Sequence, residues 1–372
     1  MKQMKKVLAL ALAAVLVFAL AACGGSGTAA AGIKVGIVTS SGVDDGSFGQ
    51  DCYAGIQSFL KNNSNSTVTH VKAAGVGEVI QAVNDIIADY DVMVCPGYQF
   101  AAAGVTAIDN PDKNFIIVDA APTDANGETV ALDNVYSMIF KEQESGFFAG
   151  IAAAMQTKTG KVAVVNGMAF PSNVNYQFGF MAGVNYANAK LGTSATMVEL
   201  PSYAGTDVTG ANVGGNYIGD FNDPATGKVV GEALIKEGVD IMFIAAGGSG
   251  NGVFAAIKEA SGEIYAIGCD VDQYDDGATG TRNIILTSVL KVMSINVDRQ
   301  LQAMADGTFK GENALLGADT DSTGYVSAEG RHQLSEETLA ALEEAYAQVK
   351  GGTIIPPDNF SESTPTNFPG LA

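Results

Sequence analysis

From Ile33 onward, short β-branched runs alternate with segments whose apolar residues recur at helical spacing. Residues 33–39, 67–72, 91–95, 114–119 and 134–140 read as strands. The segment 76–90 carries the helical period best: Val79, Ile80, Val83, Ile86 and Ile87 fall on one stripe, and polar residues fill the other face. A second series follows, with strands at 161–166, 196–200, 240–245 and 263–268 and helices between them. Then come an extended segment at 283–290, a helix starting at Lys291, a Gly- and Asp-containing stretch to about 324, and a helix over 335–349 started by Ser335. The Pro/Ser/Asn-rich tail from Pro356 reads as a packed-down or frayed end. Parallel strands need a crossover, and the crossover is commonly a helix, so the alternation predicts parallel α/β units. Two series predict two doubly wound lobes. The roughly 340 residues from Ile33 also exceed what one core serves.

The chain's first residues follow a different pattern. Lys2, Lys5 and Lys6 precede an uncharged run at 7–22, which meets Cys23 as Leu20-Ala21-Ala22-Cys23. A bilayer span needs about 20 apolar residues, and no stop-transfer charges follow. The segment 1–22 therefore reads as a signal peptide, and 23–32, small and uncharged, as a flexible tether. Its junction resembles the lipobox of bacterial lipoproteins, which implies lipid on Cys23 and membrane anchorage without a spanning helix.

Composition narrows the chemistry. The formal charge is −20, and losing the three leader lysines makes it −23, which argues against nucleic acid or anionic lipid surfaces as partners. Only His70 and His332 are available, so imidazole-based zinc or triad chemistry has little to draw on. Without Cys23, the cysteines are Cys52, Cys95 and Cys269, an odd number read as small buried apolar residues. The sequence gives no metal site, no cofactor motif and no catalytic set. Gly248-Ser249-Gly250-Asn251-Gly252 is not GxGxxG and has no phosphate-loop lysine. Ser288-Val289-Leu290-Lys291 matches SxxK, but neither SDN nor KTG accompanies it.

In open parallel sheets ligands bind at the carboxyl ends of strands. Here those ends carry Asp45, Ser47, Phe48 and Gln50 after the first strand, Asp119 after the fourth, Gly247 and Gly248 after 240–245, and Asp270 after 263–268. Each has a plain alternative: Asp45 or Ser47 as a helix N-cap, Phe48 as core, Asp119 as a turn residue, the glycines as a tight connection. Together they bring aromatics, carboxylates and glycines to one edge, a mixture suited to a planar ring bearing hydroxyl groups.

The stretches Asp44-Asp45-Gly46-Ser47-Phe48, 140–150, Gly179-Phe180-Met181-Ala182-Gly183, 245–254, Ile267-Gly268-Cys269-Asp270-Val271-Asp272-Gln273 and 287–291 together resemble the basic membrane protein family. These are substrate-binding lipoproteins that include purine nucleoside receptors of bacterial ABC transporters. The resemblance covers nearly the whole chain after Cys23. It implies a type I periplasmic-binding fold, two lobes joined by crossover strands: lobe 1 over 33–138 plus about 288–322, lobe 2 over 139–287 plus about 323–372. It implies that Phe48 stacks on the base with Tyr176 as a second ring. Asp45 and Asp119 would meet the base edge, and Asp270, paired with Lys291 and backed by Gly247 and Gly248, would hold the sugar hydroxyls. Ser47 and Gln50 would lie beside them; Gly49 replaces the family's usual Asn, and Gln177 its usual Glu.

The expected function is a monomeric, lipid-anchored receptor on the extracytoplasmic face. It would capture a nucleoside, purine by preference, for an ABC permease and its ATPase. A sugar-like ligand in the same fold, or a lipoprotein acting as sensor or adhesin, are the alternatives.

Overall fold

The computed structural model describes residues 32–280 and 282–371. The leader, Cys23 and the tether up to residue 31 lie outside the described residues. No described helix is long and apolar enough to cross a membrane.

The first sheet contains β1 (Lys34–Thr39), β2 (Thr67–Lys72), β3 (Val92–Pro96), β4 (Asn114–Val118) and β5 (Val135–Phe140), with β13 (Glu312–Leu316) added from much later in the chain. Its order is β13-β5-β4-β3-β1-β2, all parallel, with Val35 opposite Val92 and Val118 opposite Met138. The helices are α1 (Phe48–Asn62), α2 (Val79–Ile86), α3 (Ala103–Asp109) and α8 (Met293–Ala305). Both sheet faces are covered, by Cys52, Ile56 and Phe59 of α1 on one side and Val79, Val83 and Phe100 on the other. Burying each large side chain contributes roughly 1.5–3 kcal/mol. That explains why the strands read as continuous apolar runs rather than alternating ones.

The second sheet has the order β14-β12-β11-β10-β6-β7. It comprises β6 (Lys161–Asn166), β7 (Thr196–Met197), β10 (Ile241–Ala245), β11 (Tyr265–Gly268), β12 (Ile285–Lys291) and an antiparallel edge, β14 (Thr323–Tyr325). Its helices are α4 (Glu142–Gln156), α5 (Pro171–Lys190), α6 (Pro224–Lys236), α7 (Gly250–Glu259) and α9 (Glu336–Lys350). A small ribbon, β8 (Gly205–Thr206) with β9 (Asn212–Gly214), stands apart. This is the type I periplasmic-binding architecture.

Helices α4 and α5 pack backbone against backbone. A Cβ at Gly146 would come 2.4 Å from the Tyr176 carbonyl oxygen, and one at Gly183 2.1 Å from that of Phe147. Only glycine tolerates such approach, so this pair fixes where Glu142 and Tyr176 stand.

Several boundaries differ from the sequence reading. The helix expected to begin at Lys291 begins at Met293, because Lys291 is still paired with Thr323 as the last residue of β12. The 76–90 helix narrows to Val79–Ile86 between tighter turns at Val76–Glu78 and Ile87–Asp89. Of 196–200 only Thr196–Met197 pairs. The chain leaves the first sheet after Phe140 and the second after Lys291, later than 138 and 287, because β5 and β12 hold their ladders to the end. The tail packs down: Phe368 is buried, its ring centroid 6.0 Å from that of Phe147.

Candidate ligand-binding site

The carboxyl ends of both sheets face one cleft, which is lined by both lobes. The first lobe brings Phe48, Tyr98, Gln99 and Asp119; the second brings Phe170, Tyr176, Phe221, Gly247 and Asp270. Lys291 enters as the last residue of β12.

Two aspartates occupy matching places. Asp119 follows β4 and Asp270 follows β11, and both have φ 69°, a left-handed conformation uncommon for residues other than glycine and often found at functional sites. The Asp270 carboxylate accepts from the Tyr176 hydroxyl at 2.9 Å and the Ser47 hydroxyl at 2.8 Å. A carboxylate has about four acceptor sites; the Cys269 thiol, a weak donor 3.4 Å from Oδ1, takes a third, which leaves one site open and one that a ligand hydroxyl can take over from the thiol.

Lys291, with 2% of its side chain exposed, lies 2.6 Å from Asp119 and 3.0 Å from Glu142. Its nearest carboxylates are therefore these two and not Asp270, the partner expected from sequence. The strand end points Lys291 across to the first lobe and to the start of α4. Burial works against its charge, but Asp119, Glu142 and Asp270 outweigh it and raise its pKa. Its ammonium also lies 5.1 Å from the Phe48 ring centroid and 5.6 Å from that of Tyr176.

Burial pushes Asp119 up, Lys291 pulls it down, and Glu142 and Asp270 push it up again, leaving it at about 7. One cation thus faces three carboxylates, and a proton on Asp119 relieves the excess. Because Asp119 holds its proton more tightly folded than unfolded, the stability it adds is complete below its ordinary 3.8 and is lost as pH rises through about 7. Denaturant midpoints from about pH 5 to about pH 8 are expected to fall more steeply for the wild type than for Asp119→Asn. Parallel profiles would assign the dependence to other groups.

The remaining predicted residues are placed differently. The Asp45 carboxylate accepts from the backbone N–H groups of Ser47, Gly49 and Gln50 and from the Ser41 hydroxyl, and so caps α1. It does not line the cleft, nor do Gly248, Ser47 or Gln50. Ser47 donates its hydroxyl to Asp270, which does line the cleft, and Gln50 accepts from the Gly46 N–H at 3.2 Å. Tyr176 uses its hydroxyl on Asp270 and packs edge-on to Phe243, with ring centroids 5.4 Å apart.

The sequence reading missed two of the three aromatics that line the cleft from the second lobe, Phe170 and Phe221. Phe170 contacts Tyr98 across the cleft at 5.4 Å and Phe221 at 6.0 Å. Glu142 and the Tyr98–Gln99 pair follow the ends of β5 and β3, so the same strand-end rule could have found them. Phe221, alone among Asp220, Asn222 and Asp223, was detectable only as an aromatic stranded in a polar loop.

No histidine lines the cleft, and among the described residues no group of three or more His, Cys, Asp or Glu is arranged to hold a metal. The arrangement can grip a planar ring and bind vicinal hydroxyls.

A family model described as "ABC transporter substrate-binding protein PnrA-like" matches residues 33–200 and 209–358. The "CD4+ T-cell-stimulating antigen" of Listeria innocua is 30% identical over 95% of this chain and 99% of its own length. The "ABC transporter nucleoside-binding protein BmpA" of Lactococcus lactis subsp. cremoris is 30% identical, covering 83% of this chain and 87% of its own. Among solved structures, an ABC transporter solute-binding protein from Aeropyrum pernix K1 superposes with a TM-score of 0.74 at 23% identity, over 88% of this chain and 94% of that one.

Proposed function

The chain belongs to the PnrA-like family of ABC transporter substrate-binding proteins, and from that premise we propose that it captures a nucleoside, purine by preference, between its lobes. It is a binding protein and not an enzyme, as its family is. In the proposal, lipid on Cys23 holds the receptor at the outer face of the membrane, where it hands its ligand to the permease.

The observation that carries the reading is the division of the cleft. Phe48 from one lobe and the Phe170–Phe221 pair from the other offer faces to a planar base, while Asp270 keeps acceptor sites available for vicinal hydroxyls. The nucleoside-binding relative from Lactococcus supports it. A sugar-like ligand is the second reading, favoured by Tyr176, whose ring is edge-on to Phe243 and whose hydroxyl is already bonded. Four other lining aromatics, Phe48, Tyr98, Phe170 and Phe221, still suit a base better than a sugar alone.

Mass spectrometry of small molecules released from freshly purified protein tests the proposal: a nucleoside is expected, and a free sugar without any nucleoside would contradict it. Phe48→Ala is expected to weaken all nucleosides by a similar factor, about tenfold, because stacking on a ring face is worth about 1–3 kcal/mol per base and does not depend on which base it is. Loss confined to one base in parallel titrations would give Phe48 a different role.

A further inference from the structure

We propose that Gln273 is a closure latch, a positioning residue outside the ligand cavity that ties the second lobe to the first when the cleft shuts. Gln273 is 5% exposed and does not line the cavity. Its backbone N–H donates to the Ser288 hydroxyl at 3.1 Å, and its Oε1 accepts from the Cys269 N–H at 2.9 Å. Both bonds lie within the second lobe and fix the side chain. Its Nε2 then donates to the Gly46 carbonyl of the first lobe at 3.1 Å. Next to Gly46, the Ser47 hydroxyl reaches Asp270 and the Cys269 carbonyl, at 2.8 and 3.3 Å. The Gly46–Ser47 turn thus docks on residues 269–273, the segment that also presents Asp270 to the ligand.

Glutamine suits this place because a primary amide accepts and donates at once. A glutamate could still accept from the Cys269 N–H, but it would set an oxygen against the Gly46 carbonyl. An apolar side chain could do neither. With Oε1 held inside its own lobe, Nε2 is aimed across the cleft before closure, so little rotamer entropy is lost when the lobes meet. Ligand affinity scales with the population of the closed state. Removing the cross-lobe bond should therefore speed dissociation by roughly tenfold and leave the encounter with the open state unchanged.

This inference rests on the chain being a two-lobed receptor that closes over its ligand, and its test separates that from the identity of the ligand. Q273E and Q273A in the full chain would be compared with wild type by stopped-flow binding of inosine and by X-ray scattering without ligand. If inosine binds, dissociation is expected to be about tenfold faster in Q273E, with association within about twofold; an unchanged dissociation rate would overturn the latch. If wild type binds no nucleoside, scattering decides: expansion of the ligand-free variants supports the latch, and profiles identical to wild type overturn it. Should Q273E not fold, Q273A carries the same readouts.

Discussion

Replacing Asp270 with alanine is expected to weaken nucleoside binding at least a hundredfold while leaving the chain folded. Hydrogen bonds to a charged group contribute about 1.5–3 kcal/mol each, so two from vicinal hydroxyls correspond to roughly two to four orders of magnitude. The same change leaves the buried Tyr176 hydroxyl without its acceptor, at a cost of about 1–3 kcal/mol, which a two-lobed protein of this size should tolerate. Calorimetric titration with a thermal melt on the same sample separates the two effects. Asp272 is no substitute, because it is bonded to Arg331 at 2.6 Å and accepts from the Tyr274 N–H. Near-normal affinity in the variant would move the sugar contact to Asp119 or Glu142.

Lys291→Met is expected to cost stability as well as affinity. It removes the cation beside Asp119 and Glu142, whose side chains are 6% and 3% exposed. Breaking a buried pair by removing one partner typically costs about 3–5 kcal/mol, because an uncompensated charge stays behind. Methionine keeps most of the volume, so the deficit should be electrostatic. With Lys291 gone, the pull that holds Asp119 down is lost, and Asp119 holds its proton to higher pH. The deficit should then be smallest in acid and grow as pH rises through neutrality. Urea unfolding at several pH values reads this directly, and a deficit constant from about pH 5 to about pH 8 would mean that packing, not charge, is lost.

What could be read from sequence followed what is local in the physics. Strands such as Lys34–Thr39 and Lys161–Asn166 are covered on both faces, so their apolar runs announced them. The ends of those strands then located Phe48, Asp119 and Asp270 in one cleft. Partners across the fold were not legible. Asp45 had two readings, ligand contact or cap, and only the three backbone N–H groups converging on its carboxylate identify the cap. Lys291 was paired with the wrong aspartate because the direction of its side chain depends on where β12 ends, two residues before α8. The bond from the Tyr176 hydroxyl to Asp270 was hidden because spacing along α5 does not say where that hydroxyl reaches. Phe221 escaped because it belongs to no strand end.

Titration calorimetry of the chain from Cys23 onward, against inosine, guanosine, adenosine, cytidine, uridine, free ribose and a hexose, tests the central claim most directly. A cleft that grips a base between aromatic faces and holds the sugar on Asp270 predicts one site that binds purine nucleosides more tightly than pyrimidine nucleosides, with ribose alone far weaker. Tight binding of a free sugar, with no heat from any nucleoside, would contradict it.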